Sequence, residues 1–226
     1  MTWGMFRPAA DNDFWPNGDF VGYKEALEYY YHNEMTDEEK AEMDMGDRFL
    51  FSKFGRKFLK NLGPLQEIEQ PKEFRTKRTY KTLGSLISLL DQKLAVDEAL
   101  KEIIERLEPG VHQFWPMKIT MPKGKAFPAP YFGMVIHNHL EAFCPSESDA
   151  ESLVHRKTKY SDHYHAKDRK KASMAGIAIS REAAGAAHLW REENLMSPDI
   201  FLSDALQAEI EKAGLRLPKM FKLKDV

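Results

Sequence analysis

The sequence has little cysteine and almost no net charge. Its 226 residues contain one cysteine, Cys144, which excludes an intramolecular disulfide and is compatible with a reducing compartment. Lys and Arg together number 33 against 35 Asp and Glu, giving a formal net charge of -2. This balance lacks the positive excess that binds nucleic acid or an anionic membrane. We therefore expect neither as a direct partner, and the sequence leaves the oligomeric state open.

Long apolar runs are also missing. No stretch approaches the roughly 20 consecutive apolar residues of a membrane-spanning helix. Residues 1–20 contain neither an apolar segment of signal-peptide length nor a small-residue cleavage site. Both absences favour a cytoplasmic location.

The chain does contain enough apolar residues to build a core, since 42% are hydrophobic and 30% are charged. Helical spacing of apolar residues dominates before about Glu108, and runs rich in aromatic and β-branched residues dominate after it. The sequence therefore predicts an α+β fold, with a helical N-terminal part packed with a mostly antiparallel sheet and a C-terminal helix. We expect a helical region over residues 1–82 and an α+β domain over residues 83–226, or one continuous globule.

A capping box predicts the start of a helix in the N-terminal third. Thr36 is followed three residues later by Glu39, so each side chain can bond the other's backbone N–H. Acidic residues fill the first turns and basic residues the last, as the helix dipole favours. We expect divisions at Gly46 and Gly55, and an end at Gly63 before a proline.

Further helices are expected later in the chain. Apolar residues at helical spacing predict one helix over residues 83–94 and a second after Asp97. Near the C-terminus, Asp204 is expected to cap a helix with Gln207 in the reciprocal position. Gly214 then lies where a left-handed residue ends such a helix.

The near-neutral total conceals two oppositely charged stretches. Residues 11–47 carry twelve carboxylates opposed by Lys24 and Lys40, and residues 48–81 carry ten basic side chains opposed by three glutamates. The favoured interpretation is that the two stretches attract each other within the fold. The alternative is an acidic docking surface for another protein. Its expected binding residues are Asp37, Glu38, Glu39, Glu42 and Asp44.

Two histidine pairs suggest a metal site. His137 and His139 lie two apart in the second of two expected neighbouring strands, residues 112–120 and 130–143, so alternation would place both on one face. His163 and His165 show the same spacing inside an expected polar loop. Imidazoles are common ligands of catalytic zinc, which makes a metal-dependent hydrolase an alternative function.

The remaining chemistry is sparse. HExxH and CxxC motifs are absent, as are GxSxG, the P-loop and GxGxxG. Cys144 precedes a proline with no activating signature beside it, so a structural role is favoured over a nucleophile. We therefore expect no catalytic residue, no cofactor and no bound metal, and we expect the chain to act by binding a protein.

Several short motifs in the later part of the chain occur in a characteristic order. They are residues 109–114 (PGVHQF), the strand beginning Tyr131-Phe132, residues 188–191 (HLWR) and residues 201–206 (FLSDAL). Together they resemble the immunity-protein-eleven family of bacterial polymorphic toxin systems over roughly residues 83–223.

The resemblance implies a function. Proteins of this kind are encoded beside a secreted or contact-delivered toxin and bind its toxic domain, which is often a nuclease. The expected partner is therefore a cognate toxin domain, and the resemblance brings no catalytic residues with it. A structural or adaptor protein of a secretion cassette remains a further alternative.

Overall fold

The computed structural model describes residues 1–44, 50–60, 62–158, 162–168 and 170–226. Helices and strands are both short and are interspersed along the chain, which confirms the predicted α+β class. The α-helices are α1 (Tyr23–Asn33), α2 (Asp37–Met43), α3 (Leu50–Arg56), α4 (Glu98–Leu107), α5 (Lys171–Ala175), α6 (Arg181–Ala184) and α7 (Asp204–Lys212). The strands are β1 (Thr2–Met5), β2 (Gly18–Phe20), β3 (Glu73–Thr76), β4 (Leu86–Ser88), β5 (Leu94–Asp97), β6 (Gln113–Thr120), β7 (Tyr131–Val135), β8 (His139–Leu140), β9 (Leu153–Lys157), β10 (Asp162–Ala166), β11 (Ala178–Ile179), β12 (Leu189–Glu192), β13 (Ile200–Ser203), β14 (Met220–Lys222) and β15 (Lys224–Asp225).

The chain forms two compact units, each assembled from separated segments. The six-stranded unit contains Ala10–Lys101 and His112–His137, and the five-stranded unit contains Met1–Ala9, Glu102–Val111 and Asn138–Val226. Each is named after its largest sheet. The expected division after residue 82 stays a prediction, although strands from both sides of that position share the six-stranded sheet.

The six-stranded sheet has the order β2-β3-β6-β7-β5-β4. The pair β3–β6 is parallel and the other neighbours are antiparallel, as the mostly antiparallel prediction requires. Its core contains the buried side chains of Phe74, Leu89 and Trp115. A Cβ at Gly133 would overlap the Trp115 ring, so the close approach of β7 to that ring requires glycine.

A small helical cluster belongs to the same unit. Helix α1 buries Leu27 and Tyr30 on one face, and α3 contributes the buried ring of Phe54. The capping box of α2 is confirmed: the Thr36 hydroxyl accepts from the Glu39 N–H, and a Glu39 carboxylate oxygen accepts from the Thr36 N–H at 2.8 Å. The division expected at Gly46 lies outside the described residues.

The helix predicted for residues 83–94 is wrong. This segment contains β4 and leads into β5, and the two strands form an antiparallel pair. All three residues of β4 are buried, so the segment lacks the alternation of a half-exposed strand. A fully buried apolar run cannot be distinguished from a helix by its periodicity.

Helices outweigh strands before Glu108, as expected: among the described residues, more positions lie in α1 to α4 than in β1 to β5, although these five short strands also precede that residue. Helix α4 does begin after Asp97 as predicted, and the Asp97 carboxylate accepts a hydrogen bond from the Leu100 N–H at 2.9 Å. Gly110 follows the helix with φ of 72°.

The five-stranded sheet has the order β14-β1-β13-β12-β8. Strand β1 therefore pairs on both sides with strands from the C-terminal part of the chain, antiparallel in each case. The sheet buries Trp190 on β12 against Phe201 on β13, with ring centroids 5.8 Å apart. Residues from the two ends of the sequence thus contribute to one core.

The capping prediction for α7 is off by one residue. Ser203 is the N-cap, and its hydroxyl accepts from the Leu206 N–H at 3.2 Å. The Asp204 carboxylate instead accepts from the Trp3 indole N–H, and Gln207 donates to Glu211. The motif Ser-Asp offers two good capping residues in succession, so the position was ambiguous. Gly214 is left-handed, as expected, with φ of 65°.

The polar loop expected from residue 145 to about 171 contains a hairpin. Strands β9 and β10 pair antiparallel, with His163 opposite Arg156 and Tyr164 opposite His155. Their side chains are exposed or half-buried, and β9 shows no alternation between buried and exposed positions. The hydrophobic signal that identifies a strand was therefore missing.

Candidate functional site

The five acidic residues expected to bind a partner lie together on and beside α2. This helix buries none of its residues, and the Asp37 side chain is fully exposed. Glu38 and Glu42 are exposed within the helix, and Asp44 is exposed at its C-cap. The structure therefore gathers the predicted residues into one carboxylate-rich surface, called here the α2 surface.

Two of the five carboxylates also have partners within the fold. Glu39 completes the capping box, and Asp44 accepts from the Lys53 ammonium at 3.1 Å. That hydrogen bond raises the pKa of Lys53. Asp37 lies 4.0 Å from Lys40, at the limit of an ion pair. Between the described residues there is no ion pair to Glu38 or Glu42.

Ion pairs between the acidic and basic stretches support the interpretation that the two attract each other within the fold. Besides Asp44 and Lys53, Asp19 lies 3.4 Å from Lys77 and Asp11 lies 3.3 Å from Arg78. The side chains of these last two pairs are more than half exposed. Exposed pairs of this kind contribute little to stability. Internal pairing and a docking role of α2 are therefore compatible, because Asp44 is the one carboxylate of the α2 surface that takes part in these described pairs.

A recess of about 280 Å³ adjoins the α2 surface. Glu39 and Glu42 line it together with the basic side chains of Lys53, Arg56 and Lys57. Its other lining residues are Tyr30, Met35, Met43, Leu62, Gln66 and Glu69. A recess with charges of both signs and apolar side chains can accept a polar side chain from another protein more readily than a small apolar ligand.

The geometry predicted for His137 and His139 is wrong. Strand β7 ends at Val135 and β8 begins at His139, so the two histidines do not share a strand face. The His137 N–H is 3.3 Å from the His112 ring, and burial lowers the pKa of His137. The buried His139 ring contacts the Glu193 carboxylate at 3.2 Å.

Three further histidines, His155, His163 and His165, lie on the β9–β10 hairpin. The rings of His163 and His165 meet edge to face at 4.8 Å, and burial lowers the pKa of His165. His155 stacks on Tyr164 and shares a 2.6 Å hydrogen bond with Asp162. In the described ranges, no three His, Cys, Asp or Glu side chains are placed to hold a metal ion. The hypothesis of a metal-dependent hydrolase depended on His137 and His139 sharing one strand face, and the structure does not show that arrangement.

Sequence reasoning missed the buried charged residues. Glu108 accepts from the backbone N–H groups of His188 and Leu189 at 2.8 and 2.9 Å, and from the Asn138 amide at 2.8 Å. These hydrogen bonds connect the HLWR motif to Glu108, which directly precedes the PGVHQF motif. A glutamate beside a turn looks like ordinary surface in a sequence, so no local signal identified it.

A second set of buried charges lies in the same unit. Glu192 accepts from the Trp190 indole and from the N–H groups of Ala142 and Phe143. The buried Arg191 lies 3.5 Å from Asp199, which also pairs with Arg7. The short motifs on which the family resemblance rests therefore include residues that hold the sheet together.

Comparison with known proteins gives the chain a family. A model described as Immunity protein family (Imm11) matches residues 18–222, and that range includes α1, α2 and α3 as well as the expected motifs. No curated protein matches the chain. The described residues include no helix with the length and apolar character required to cross a membrane. The match spans most of the 226 residues, and the chain therefore belongs to the immunity protein family (Imm11).

Proposed function

We propose that this immunity protein binds a cognate toxin domain, encoded beside it, and neutralises that domain without catalysing a reaction. The observation that carries the proposal is the family match over residues 18–222. Inhibition by binding requires a stable scaffold and a complementary surface. Immunity proteins paired with nuclease toxins include some of the tightest known complexes.

The α2 surface is the proposed contact region. Asp37, Glu38 and Glu42 carry exposed carboxylates with weak or no ion pairing among the described residues. Exposed carboxylates on one helix create a local negative potential that accelerates the approach of a basic partner. The adjoining recess would receive a polar side chain of that partner.

The finer form of the proposal is that the toxin is a nuclease. A nuclease binds a polyanion and therefore presents a basic surface, which complements the α2 carboxylates. Glu39 and Asp44 have partners within the fold, so they are assigned a supporting part at the edge of the contact.

Co-expression with the toxic domain encoded by the adjacent gene tests the proposal. Cells that express both proteins are expected to survive, and the two proteins are expected to co-purify. An adaptor of a secretion cassette would bind another component and leave the toxin active. Failure to give either a complex or protection would rule out the immunity function for that pair.

The hydrolase alternative has an independent test. Protein purified without added metal is expected to contain no stoichiometric zinc, iron or manganese. Elemental analysis that found about one tightly held ion per chain would restore this alternative, because structural and catalytic sites retain their metal on purification.

A further inference from the structure

Lys93 is a buried cation in an aromatic environment. Its side chain is 3% exposed, and its ammonium group lies 4.5 Å from the Phe58 ring centroid, 5.4 Å from that of Tyr23 and 5.5 Å from that of Phe20. The ion pair described for it is a long one of 3.9 Å to Asp91, whose side chain is 59% exposed. Cation–π contacts offset part of the lost hydration, but a buried ammonium normally has a close anionic partner.

A cavity of about 530 Å³ opens beside this lysine. Its apolar lining includes Phe20, Tyr23, Leu27, Phe51 and Phe54. Leu90 also lines the cavity and is 43% exposed, which is high for a leucine beside a core. A pocket with mostly apolar walls and one buried polar group has the composition of a small-molecule site.

The first turn of α1 lines the same cavity. Gly22 is the N-cap and has no side chain to bond the N–H groups of that turn, and Tyr23, Lys24 and Glu25 all border the space. Uncapped N–H groups and the helix dipole favour a negative group at this end of a helix. The N-terminus of α1 and the Lys93 ammonium therefore both favour a negatively charged group in this cavity.

The turn that carries Lys93 has an unusual backbone. Asp91 and Gln92, which are not glycines, adopt φ of 55° and 62°. Such conformations cost free energy and persist where the surrounding structure holds them, often at ligand sites. Here they connect the exposed Leu90 at the cavity to the buried Lys93.

We propose that this cavity binds a small carboxylic acid with an apolar body, whose carboxylate pairs with Lys93 while the body lies on the aromatic walls. A carboxylate would supply the close charge-assisted hydrogen bond that Asp91, at 3.9 Å, does not. The site is separate from the α2 surface, and the proposal goes beyond the immunity function.

The charges around the cavity restrict the ligand further. Asp19, Glu25 and Asp91 line the space and oppose the two lysines, and Asp19 is paired with Lys77. These carboxylates would repel a phosphate or another polyanion more strongly than a single carboxylate. The apolar walls favour the burial of a hydrocarbon group. A monoanion with a hydrocarbon body satisfies both conditions.

Binding should be coupled to protonation. Burial lowers the pKa of Lys93 to about 8, and a carboxylate beside the ammonium would raise it again. At a pH of about 8.5, part of the free protein therefore carries a neutral Lys93. Binding of a carboxylate at that pH is expected to take up protons, whereas an uncharged ligand would not.

Calorimetric titration of the full chain with hexanoate, hexanol and acetate tests the proposal. Hexanoate is expected to bind at least about tenfold more tightly than hexanol, which lacks the charge, and acetate, which lacks the apolar body. Repeating the hexanoate titration at a pH of about 8.5 in buffers of different ionisation enthalpy measures proton uptake. Equal binding of the acid and the alcohol, or no hexanoate binding at millimolar concentration, would overturn it.

Variants separate the site from general effects. Lys93→Met is expected to lose hexanoate binding by at least about tenfold and to lose the proton uptake. Lys101→Met is the matched control, because Lys101 also lies over two aromatic rings but does not line the cavity. Leu90→Glu adds an anion beside an exposed position and is expected to weaken hexanoate binding in a folded protein. If both Lys93→Met and Leu90→Glu bind hexanoate like the parent, the proposal is wrong.

Discussion

The carboxylates of α2 and those of the five-stranded unit differ in almost every physical respect. Glu38 and Glu42 are exposed and have no described ion pair within the fold, whereas Glu108 and Glu192 are buried and each accepts at least three hydrogen bonds. A buried carboxylate needs these donors, because an unpaired charge in the interior is very costly. An exposed carboxylate keeps its hydration and remains available to another molecule.

This difference separates residues that maintain the fold from residues that can serve a partner. Two of the described donors to Glu108 are the backbone N–H groups of His188 and of Leu189, the first residue of β12, so the carboxylate fixes the start of that strand. Among the described residues, Asp37, Glu38 and Glu42 accept no hydrogen bond from a buried donor, whereas Glu39 completes the capping box and Asp44 accepts from Lys53. Substitutions in the two regions should consequently affect different measurements.

The largest effect on stability is expected for Glu108→Ala. The change leaves the N–H groups of His188 and Leu189 and the Asn138 amide without their acceptor, which should lower the free energy of unfolding by about 3–5 kcal/mol. Urea denaturation measures this loss. Glu102→Ala, at an exposed position of α4, the helix that ends just before Glu108, is the control and should change stability by less than about 0.5 kcal/mol. Similar losses of unfolding free energy in both variants would contradict the distinction between buried and exposed carboxylates.

The next largest effect depends on pH. Burial raises the pKa of Glu192 from 4.5 to about 7, although three N–H donors oppose the rise. The folded state therefore holds a proton that the unfolded state releases, and this component of stability is lost as pH rises from about 4.5 to about 7. Its full size is at most about 3 kcal/mol.

Glu192→Gln isolates this component, because an amide does not titrate in that range. We expect the unfolding free energy of the parent to fall, relative to that of the variant, as urea denaturation is repeated at increasing pH. A difference between the two proteins that stays constant from about pH 4.5 to pH 7 would show that the carboxyl is ionised throughout.

Local chemistry explains which elements could be predicted from the sequence. The capping box of α2, the start of α4 after Asp97 and the left-handed Gly214 each depend on a few adjacent residues. The helix prediction for residues 83–94 was wrong because every residue of β4 is buried, so its apolar run does not alternate with polar residues as a half-exposed strand does. The β9–β10 hairpin was not predicted for the opposite reason: neither strand has a strongly buried face, so the sequence carries no apolar alternation there.

The candidate site was predictable only where it is contiguous in sequence. The α2 surface follows from a run of carboxylates on one helix, and the structure confirms that they lie together. Glu108 and Lys93 depend on contacts between distant segments, which no single local pattern contains. The pair His137 and His139 showed the reverse problem: a regular spacing suggested one strand face, but β7 ends at Val135 and a new strand begins at His139.

A smaller effect is expected for Thr36→Ala, which removes the hydroxyl of the capping box. Loss of an N-cap costs about 1 kcal/mol, and here it should act mainly on the one short helix that presents the carboxylates. The amide N–H of Glu39 should exchange with solvent faster, as hydrogen-exchange mass spectrometry can measure. Thr36→Ser keeps the hydroxyl and should restore the parent rate; equal exchange in all three proteins would show that the cap is unimportant.

The smallest effect on stability is expected when the α2 carboxylates are neutralised. A triple variant with Asp37→Asn, Glu38→Gln and Glu42→Gln removes exposed charges and leaves the capping box intact. Its melting temperature should stay within about 2 °C of the parent value. A larger decrease in a thermal melt would mean that these residues serve the fold and not a partner.

The most direct test is the association rate of this triple variant with the cognate toxin domain, measured by stopped flow at low and high salt. At about 20 mM salt the variant is expected to associate several-fold more slowly than the parent, and at about 500 mM the two rates should converge because screening removes the steering. A control variant with Asp11→Asn and Asp19→Asn, whose side chains pair with Arg78 and Lys77, should keep the parent rate. Equal rates for the triple variant and the parent at low salt would contradict a role of the α2 surface in binding the toxin.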